Sequence, residues 1–83
     1  MTWVRLPYHY TMPYSISTVR FTNRYVRFND IALALDAIES VERIAEEVGN
    51  DRVWHLKIRM DSGRRYVFTF THPVENEFDR IIA

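Results

Sequence analysis

Lys57 and Arg59 of this 83-residue chain occupy alternate positions, with His55 two residues before Lys57, which is the spacing at which residues share one face of a β-strand. Arg20, Arg27 and Arg65 lie in other short segments that have the composition of strands. Guanidinium groups at such positions bind carboxylates or phosphates through forked hydrogen bonds. Tyrosines near the start of the chain add aromatic surface of the kind that is enriched at interfaces. The candidate binding residues are therefore Arg20, Arg27, His55, Lys57, Arg59, Arg65, Tyr8, Tyr10 and Tyr14.

Catalytic and metal-binding patterns are not recognised in the sequence. His9, His55 and His72 do not have the spacing of zinc ligands, and the chain contains no cysteine. Gly49 and Gly63 are the only glycines, so a glycine-rich phosphate loop is excluded, and no nucleophile elbow is present. We therefore predict a protein that is not an enzyme and needs neither a metal nor a cofactor.

Charge is balanced overall but unevenly distributed along the chain. Eleven Lys and Arg residues match eleven Asp and Glu residues, which argues against a strongly polycationic nucleic-acid binder. Residues 1–29 contain four arginines and no acid, whereas residues 30–48 contain six acids and one arginine. We expect basic strands and an acidic helix face, the latter formed by Asp36, Glu39, Glu42, Glu46 and Glu47.

A β-hairpin is predicted over residues 53–71. Both halves of the segment alternate between apolar and polar residues, and Asp61-Ser62-Gly63 between them is typical of a turn. The residues expected on the core side are Trp54, Leu56, Ile58, Tyr66, Phe68 and Phe70, which leaves the cations of the hairpin facing outward.

Residues 30–48 are predicted to form one continuous amphipathic helix. Their apolar residues fall on one arc when they are placed at 100° steps, and the acidic residues fall on the other. Asn29 or Asp30 is expected to cap the start of this helix, and Gly49 is expected to take a left-handed conformation at its end.

A second interpretation of the same region remains open. The run from Leu35 to Glu42, Leu-Asp-Ala-Ile-Glu-Ser-Val-Glu, resembles a strand–turn–strand pattern of small bacterial pleckstrin-homology-like domains. That resemblance implies that residues 41–46 form a strand paired with residues 53–60. The helix is preferred because residues 41–48 do not alternate and favour helix by composition.

The remaining elements complete a single α+β domain over residues 1–83. Two short strands are expected at residues 16–22 and 25–28, a C-terminal helix at 73–82, and an aromatic arm or edge strand at 1–15. The order β-β-α-β-β-α predicts one antiparallel sheet with both helices on one face and the other face open. The alternative architecture is a pleckstrin-homology-like half-barrel with a C-terminal helix.

We expect these features to serve a small non-catalytic protein-binding module, an inhibitor or adaptor that covers a partner's surface, or a homodimeric module. In size and charge segregation the chain resembles small phage-encoded inhibitors of host defence, anti-CRISPR proteins among them. The alternative is a nucleic-acid-binding regulator that uses the basic open face of the sheet. The start of the chain lacks the features of a signal peptide, so we expect a cytoplasmic protein, in the host if phage-encoded, without a membrane partner.

Overall fold

In the part of the chain that the structure describes, the polypeptide forms seven β-strands, one 3-10 turn and one α-helix. The structure is a computed structural model that describes the backbone of residues 9–11 and all of residues 15–83. The strands are β1 (His9–Thr11), β2 (Val19–Phe21), β3 (Tyr25–Phe28), β4 (Ile31–Ala34), β5 (Ile38–Val48), β6 (Asp51–Met60) and β7 (Arg65–Phe70). The 3-10 turn spans Leu35–Ala37, and the helix α1 spans Glu75–Ile82.

The strands form two sheets. One sheet has the order β1-β7-β6-β5, in which β1 runs parallel to β7 and the other neighbours are antiparallel. The other is the antiparallel meander β2-β3-β4. Backbone hydrogen bonds from Ile16 N to Thr69 O and from Asp61 N to Ala37 O connect the segments that flank the smaller sheet to the larger one.

The inner faces of the two sheets enclose one hydrophobic core. Phe28 of β3 stacks on Phe68 of β7 with ring centroids 4.3 Å apart, and it meets Phe70 edge-on at 6.2 Å. The ten buried core residues are Ile16, Val26, Phe28, Leu33, Leu56, Ile58, Met60, Phe68, Phe70 and Val74. Aromatic stacking between the sheets therefore fixes how they sit on each other.

The predicted hairpin is confirmed, with β6 and β7 in the expected register. Leu56 pairs with Phe68 and Ile58 with Tyr66, so that Leu56, Ile58 and Phe68 are buried. Lys57 and Arg59 lie on the exposed side of β6. The alternation of apolar and polar residues placed each side chain on the correct face.

The predicted helix over residues 30–48 is wrong. This segment forms β4, the 3-10 turn and β5, because each of its halves finds a pairing partner elsewhere in the chain. Consequently the order β-β-α-β-β-α, with two helices on one face of a single sheet, is also wrong. Tertiary pairing and burial outweigh the local helix propensity, which differs by only about 0.7 kcal/mol among ordinary residues.

An irregularity near the start of β5 brings two apolar residues that are three positions apart onto the core side. The register shifts between Ile38 and Ser40, which leaves Glu39 as an extra residue opposite β6. Because of this bulge, Ile38 and Val41 both pack against the core, although three positions separate them. Ile44, three positions further on, lies opposite His55 on the outer side of the sheet. The register shift therefore explains the spacing of Ile38 and Val41 but not that of Val41 and Ile44.

The residues expected to cap the helix are turn residues instead. Asn29 connects β3 to β4 with φ of 51°, and its Oδ1 accepts hydrogen bonds from Ser17 N (3.0 Å) and Thr18 N (3.1 Å). Gly49 has φ of 63°, as expected for a left-handed residue, but it forms the β5–β6 turn together with Asn50. A two-residue loop that starts with glycine is typical of a tight β-hairpin.

The C-terminal helix α1 is present and packs beside β5. Phe78 and Ile81 contact the core, and the Arg43 guanidinium carbon lies 5.1 Å from the Phe78 ring centroid. At the smaller sheet, the Arg80 guanidinium carbon lies 4.1 Å from the ring centroid of Phe21. Two cation–π contacts of this kind help to hold the helix against both sheets.

Candidate binding surfaces

The larger sheet carries four of the predicted binding residues on its outer side. β6 presents His55, Lys57 and Arg59, and β7 presents Arg65, which lies opposite Arg59. The neighbouring strand β5 contributes acidic side chains to the same side. We refer to this surface as the β5–β7 face, and its outward residues are Ser40, Glu42, Ile44, Glu46, His55, Lys57, Arg59, Arg65, Val67 and Thr69.

Acids from β5 lie beside the cations of β6, and one of them forms an ion pair with Arg59. Arg59 Nε lies 2.9 Å from Glu39 Oε1, where the guanidinium and carboxylate side chains are 46% and 54% exposed. Lys57 lies directly opposite Glu42 in the register. The acidic residues assigned to a helix face in the sequence are therefore neighbours of the basic residues assigned to the strands. Exposed pairs of this kind stabilise a fold by less than about 1 kcal/mol each.

His55 joins three strands through its side chain. Nε2 lies 2.6 Å from Glu46 Oε1 on β5, and Nδ1 lies 3.0 Å from Thr69 Oγ1 on β7. Since a carboxylate can only accept, Nε2 donates to Glu46, and the Nδ1 of a neutral ring accepts from the Thr69 hydroxyl. Carboxylate, imidazole and hydroxyl follow one another in the order of a catalytic relay.

A shallow hollow of about 290 Å³ lies on the β5–β7 face, closer to the turn between β6 and β7 than Thr69 is. Its lining includes Lys57, Arg59, Arg65 and the carboxylate of Glu42, but not Thr69. A molecule seated in this hollow would therefore meet charges of both signs and not the relay hydroxyl. The hollow thus offers groups that recognise a molecule by complementary charge.

The smaller sheet presents the remaining predicted cations. Arg20 of β2 lies directly opposite Arg27 of β3, and both side chains are exposed. A hollow of about 460 Å³ lies between them and the 50%-exposed Tyr25. We refer to this surface as the β2–β4 face, and the residues that line its hollow are Arg20, Thr22, Tyr25, Arg27 and Ala32.

The cations of the β2–β4 face have no charge partner in the described part of the chain. Within residues 15–83, no acid lies within ion-pair distance of Arg20, Arg24 or Arg27. Asp30 marks one limit of the surface, since it lines an adjacent hollow of about 400 Å³ together with Arg20 and Arg27. Like charges placed directly across two strands destabilise the pairing. This face therefore differs in its electrostatics from the β5–β7 face.

The predicted binding residues do not share one sheet. Both sheets pack their inner faces on the same core, so Arg20 and Arg27 face a different direction from His55, Lys57, Arg59 and Arg65. Tyr8 and Tyr14 lie outside the described residues, and only the backbone of Tyr10, opposite Tyr66, is described.

Sequence reasoning did not select Tyr25 or the glutamates of β5 as members of a binding surface. Tyr25 alternates with Arg27 in β3, and this alternation is a signal that would have placed both residues on one face. The glutamates could be placed only once β5 was recognised as a strand.

Neither a cluster of metal ligands nor a helix that could span a membrane is found among the described residues. No group of three or more His, Asp or Glu residues among them is arranged to hold a metal ion. None of their helices is both long and apolar enough to cross a bilayer. Comparison with known protein families, with curated proteins and with solved structures finds no match to this chain.

Proposed function

We propose that this protein is a small non-catalytic module that binds another protein, acting as an inhibitor or adaptor by covering part of the partner's surface. The observation that carries the proposal is the mixture of charges on the β5–β7 face, where acids of β5 stand beside cations of β6 and β7. Complementary charge patterns of this kind select partners and set their orientation.

The hollow on this face supports a protein partner in particular. Lys57 and Arg65 form no ion pair with the described residues, so their charges are available to a ligand. Glu42 lines the same hollow, and its negative charge disfavours a ligand that carries only negative groups. A polypeptide can present acidic and basic side chains together, whereas a nucleic-acid backbone presents only negative charge.

The two alternative functions have less support. A nucleic-acid site on one broad basic face would need the six predicted basic residues to lie in a single sheet. They are divided between two sheets. Homodimerisation through the edge of β5 would bring two sets of four glutamates together, at positions 39, 42, 46 and 47. Like charges across such an edge oppose pairing.

We also infer a pleckstrin-homology-like half-barrel as the architecture that supports this function. The pairing that the resemblance implies is present, since Val41 lies opposite Ile58 and Glu46 lies opposite Val53. Two sheets followed by a C-terminal helix agree with the same interpretation.

The double substitution Lys57→Glu with Arg65→Glu tests the proposal. Both side chains are exposed, so the variant is expected to fold, while reversal of two charges in the hollow should weaken partner binding at least tenfold. The partner is first captured by cross-linking in cells that encode the protein, after nuclease treatment, and identified by mass spectrometry. Its affinity for the wild type and the variant is then measured with purified proteins.

A matched control carries the same change of charge elsewhere. Arg52→Glu with Arg64→Glu alters two exposed arginines outside the hollow and should leave affinity within about twofold. Equal affinity of the Lys57/Arg65 variant and the wild type would refute the proposed surface. Loss of every captured protein on nuclease treatment would favour the nucleic-acid alternative.

A further inference from the structure

We propose that the β2–β4 face is a second recognition site, which binds the carboxylates of an acidic protein segment between Arg20 and Arg27. This inference deepens the proposed function, on which it rests, by naming the chemistry of the partner at a surface separate from the β5–β7 face.

The first support is the arrangement of the two arginines. Arg20 and Arg27 are direct cross-strand partners, so their Cα atoms are about 4.5–5.5 Å apart and their side chains leave the same face of the sheet. In the free protein this juxtaposition is unfavourable. A carboxylate bound between them accepts forked hydrogen bonds from guanidinium groups and removes the repulsion.

The second support is the contrast with the cations of the other sheet. Arg59 has its carboxylate partner in Glu39, and Arg52 has one in Glu47 at 2.9 Å. Arg20 and Arg27 have no such partner within residues 15–83. The larger sheet has a comparable cross-strand pair in Arg59 and Arg65, but there one arginine has a carboxylate partner, whereas in the pair of the smaller sheet neither has one among the described residues.

The third support is the apolar floor beside the arginines. Tyr25 and Ala32 line the hollow of about 460 Å³ together with the two arginines. Thr22 holds Tyr25 in place, because its Oγ1 accepts from Tyr25 N at 3.0 Å and its own N donates to Tyr25 O at 2.8 Å. A peptide segment in which an apolar residue lies next to acidic residues fits this site, because the apolar residue can contact Tyr25 and Ala32 while the acidic residues bind the arginines.

The limited extent of the positive surface favours an acidic protein segment over a nucleic-acid strand. Asp30 lies at the border of the site with Arg20 and Arg27, and the whole chain has no net charge. A strand of several phosphates would extend past Arg20 and Arg27 towards Asp30, whereas one or two carboxylates need only the local charge.

The experiment is an NMR titration of the ¹⁵N-labelled protein with the capped pentapeptide Glu-Glu-Leu-Glu-Glu. We expect amide signals of β2 and β3 to shift and those of β6 to stay in place. Arg20→Gln and Arg27→Gln should each raise the dissociation constant at least tenfold, which corresponds to about 1.4 kcal/mol. Arg64→Gln, which removes an exposed arginine outside this face, should change it less than twofold.

A stability measurement separates a binding site from an ordinary exposed surface. Because Arg27→Gln removes the repulsion from Arg20, the free variant should denature at a higher urea concentration than the wild type. The same variant should lose the stabilisation that the pentapeptide gives to the wild type. A variant that is less stable when free would contradict the electrostatic argument.

Three outcomes would overturn the inference. They are the absence of shifts in β2 and β3, equal affinity of the arginine variants and the wild type, and stronger binding of a ten-nucleotide oligothymidylate to the same residues. The Lys57/Arg65 variant is assayed independently with the captured partner. If the pentapeptide does not bind the β2–β4 face but the Lys57/Arg65 variant loses affinity for the captured partner, the proposed function remains and only this second site is refuted.

Discussion

Asn29 shows how a single side chain can organise the smaller sheet. Its backbone φ of 51° turns the chain between β3 and β4, and its N donates to Thr18 O at 2.9 Å. The Oδ1 atom accepts from the backbone N atoms of Ser17 and Thr18, so the segment that enters β2 is tied to the end of β3. Asparagine tolerates the left-handed region better than most other residues do.

Substitution of Asn29 should destabilise the protein in a graded manner. Asn29→Ala removes the acceptor and strains the backbone, and we expect the free energy of unfolding to fall by about 2–3 kcal/mol. Asn29→Asp keeps an acceptor oxygen and should lose less, about 1 kcal/mol or below. Urea denaturation followed by circular dichroism measures both variants. A smaller loss for alanine than for aspartate would contradict the assigned role of Oδ1.

Single residues in the sequence were informative where their role depends on local conformation. Gly49 was correctly predicted to be left-handed, and Lys57 and Arg59 were correctly predicted to face outward. Asn29 was recognised as a boundary residue but given the wrong function, because a helix cap and a turn favour the same side chains. The pairing of Arg59 with Glu39 could not be predicted, since it depends on which strands become neighbours.

At the level of elements, β5 is where sequence and structure differ most. Its composition favours helix, yet ten of its residues pair with β6 in one long hairpin. Gly49-Asn50 is itself a recognised hairpin signal, and it lies between Val48 and the alternating segment of β6. Beyond the bulge at Glu39 the residues still do not alternate between apolar and polar, since Arg43 lies opposite buried Leu56 and Ile44 lies opposite His55, so the pattern did not reveal the strand.

A substitution at Ala45 distinguishes a strand from a helix. Ala45 lies opposite Trp54, and a β-branched side chain there adds a favourable cross-strand contact. Ala45→Val should therefore raise the free energy of unfolding by about 0.5 kcal/mol, while Ala45→Gly should lower it by about 0.5–1 kcal/mol. In a helix, valine would be less stable than alanine. Chemical denaturation of the three proteins decides between the two conformations.

At the level of the whole molecule, stability depends on contacts between the sheets. The β6–β7 hairpin and its core face followed from the sequence, because alternation is strong there and the turn is short. The division of the strands into two sheets could not be predicted from the sequence. The hydrophobic pattern of a strand does not show which sheet the strand joins. The division depends on the core contacts of Phe28, a residue that looks like any other apolar strand position.

Phe28 is the residue whose loss should affect the whole molecule most. Its side chain is fully buried and touches aromatic rings on the opposite sheet. Phe28→Ala should lower the free energy of unfolding by about 3–5 kcal/mol, a large part of the stability of so small a domain. Phe28→Leu keeps much of the apolar volume and should remain folded. Thermal denaturation and the dispersion of proton NMR signals report both outcomes.

The 3-10 turn at Leu35–Ala37 has a consequence for folding kinetics. It separates a meander of three consecutive strands, β2 to β4, from a second meander, β5 to β7, so most strand pairing joins neighbours along the chain. Local pairing incurs little loop-closure entropy and is fast. We therefore expect each meander to form quickly from local contacts, and the packing of Phe28 against Phe68 and Phe70 to be the slower step.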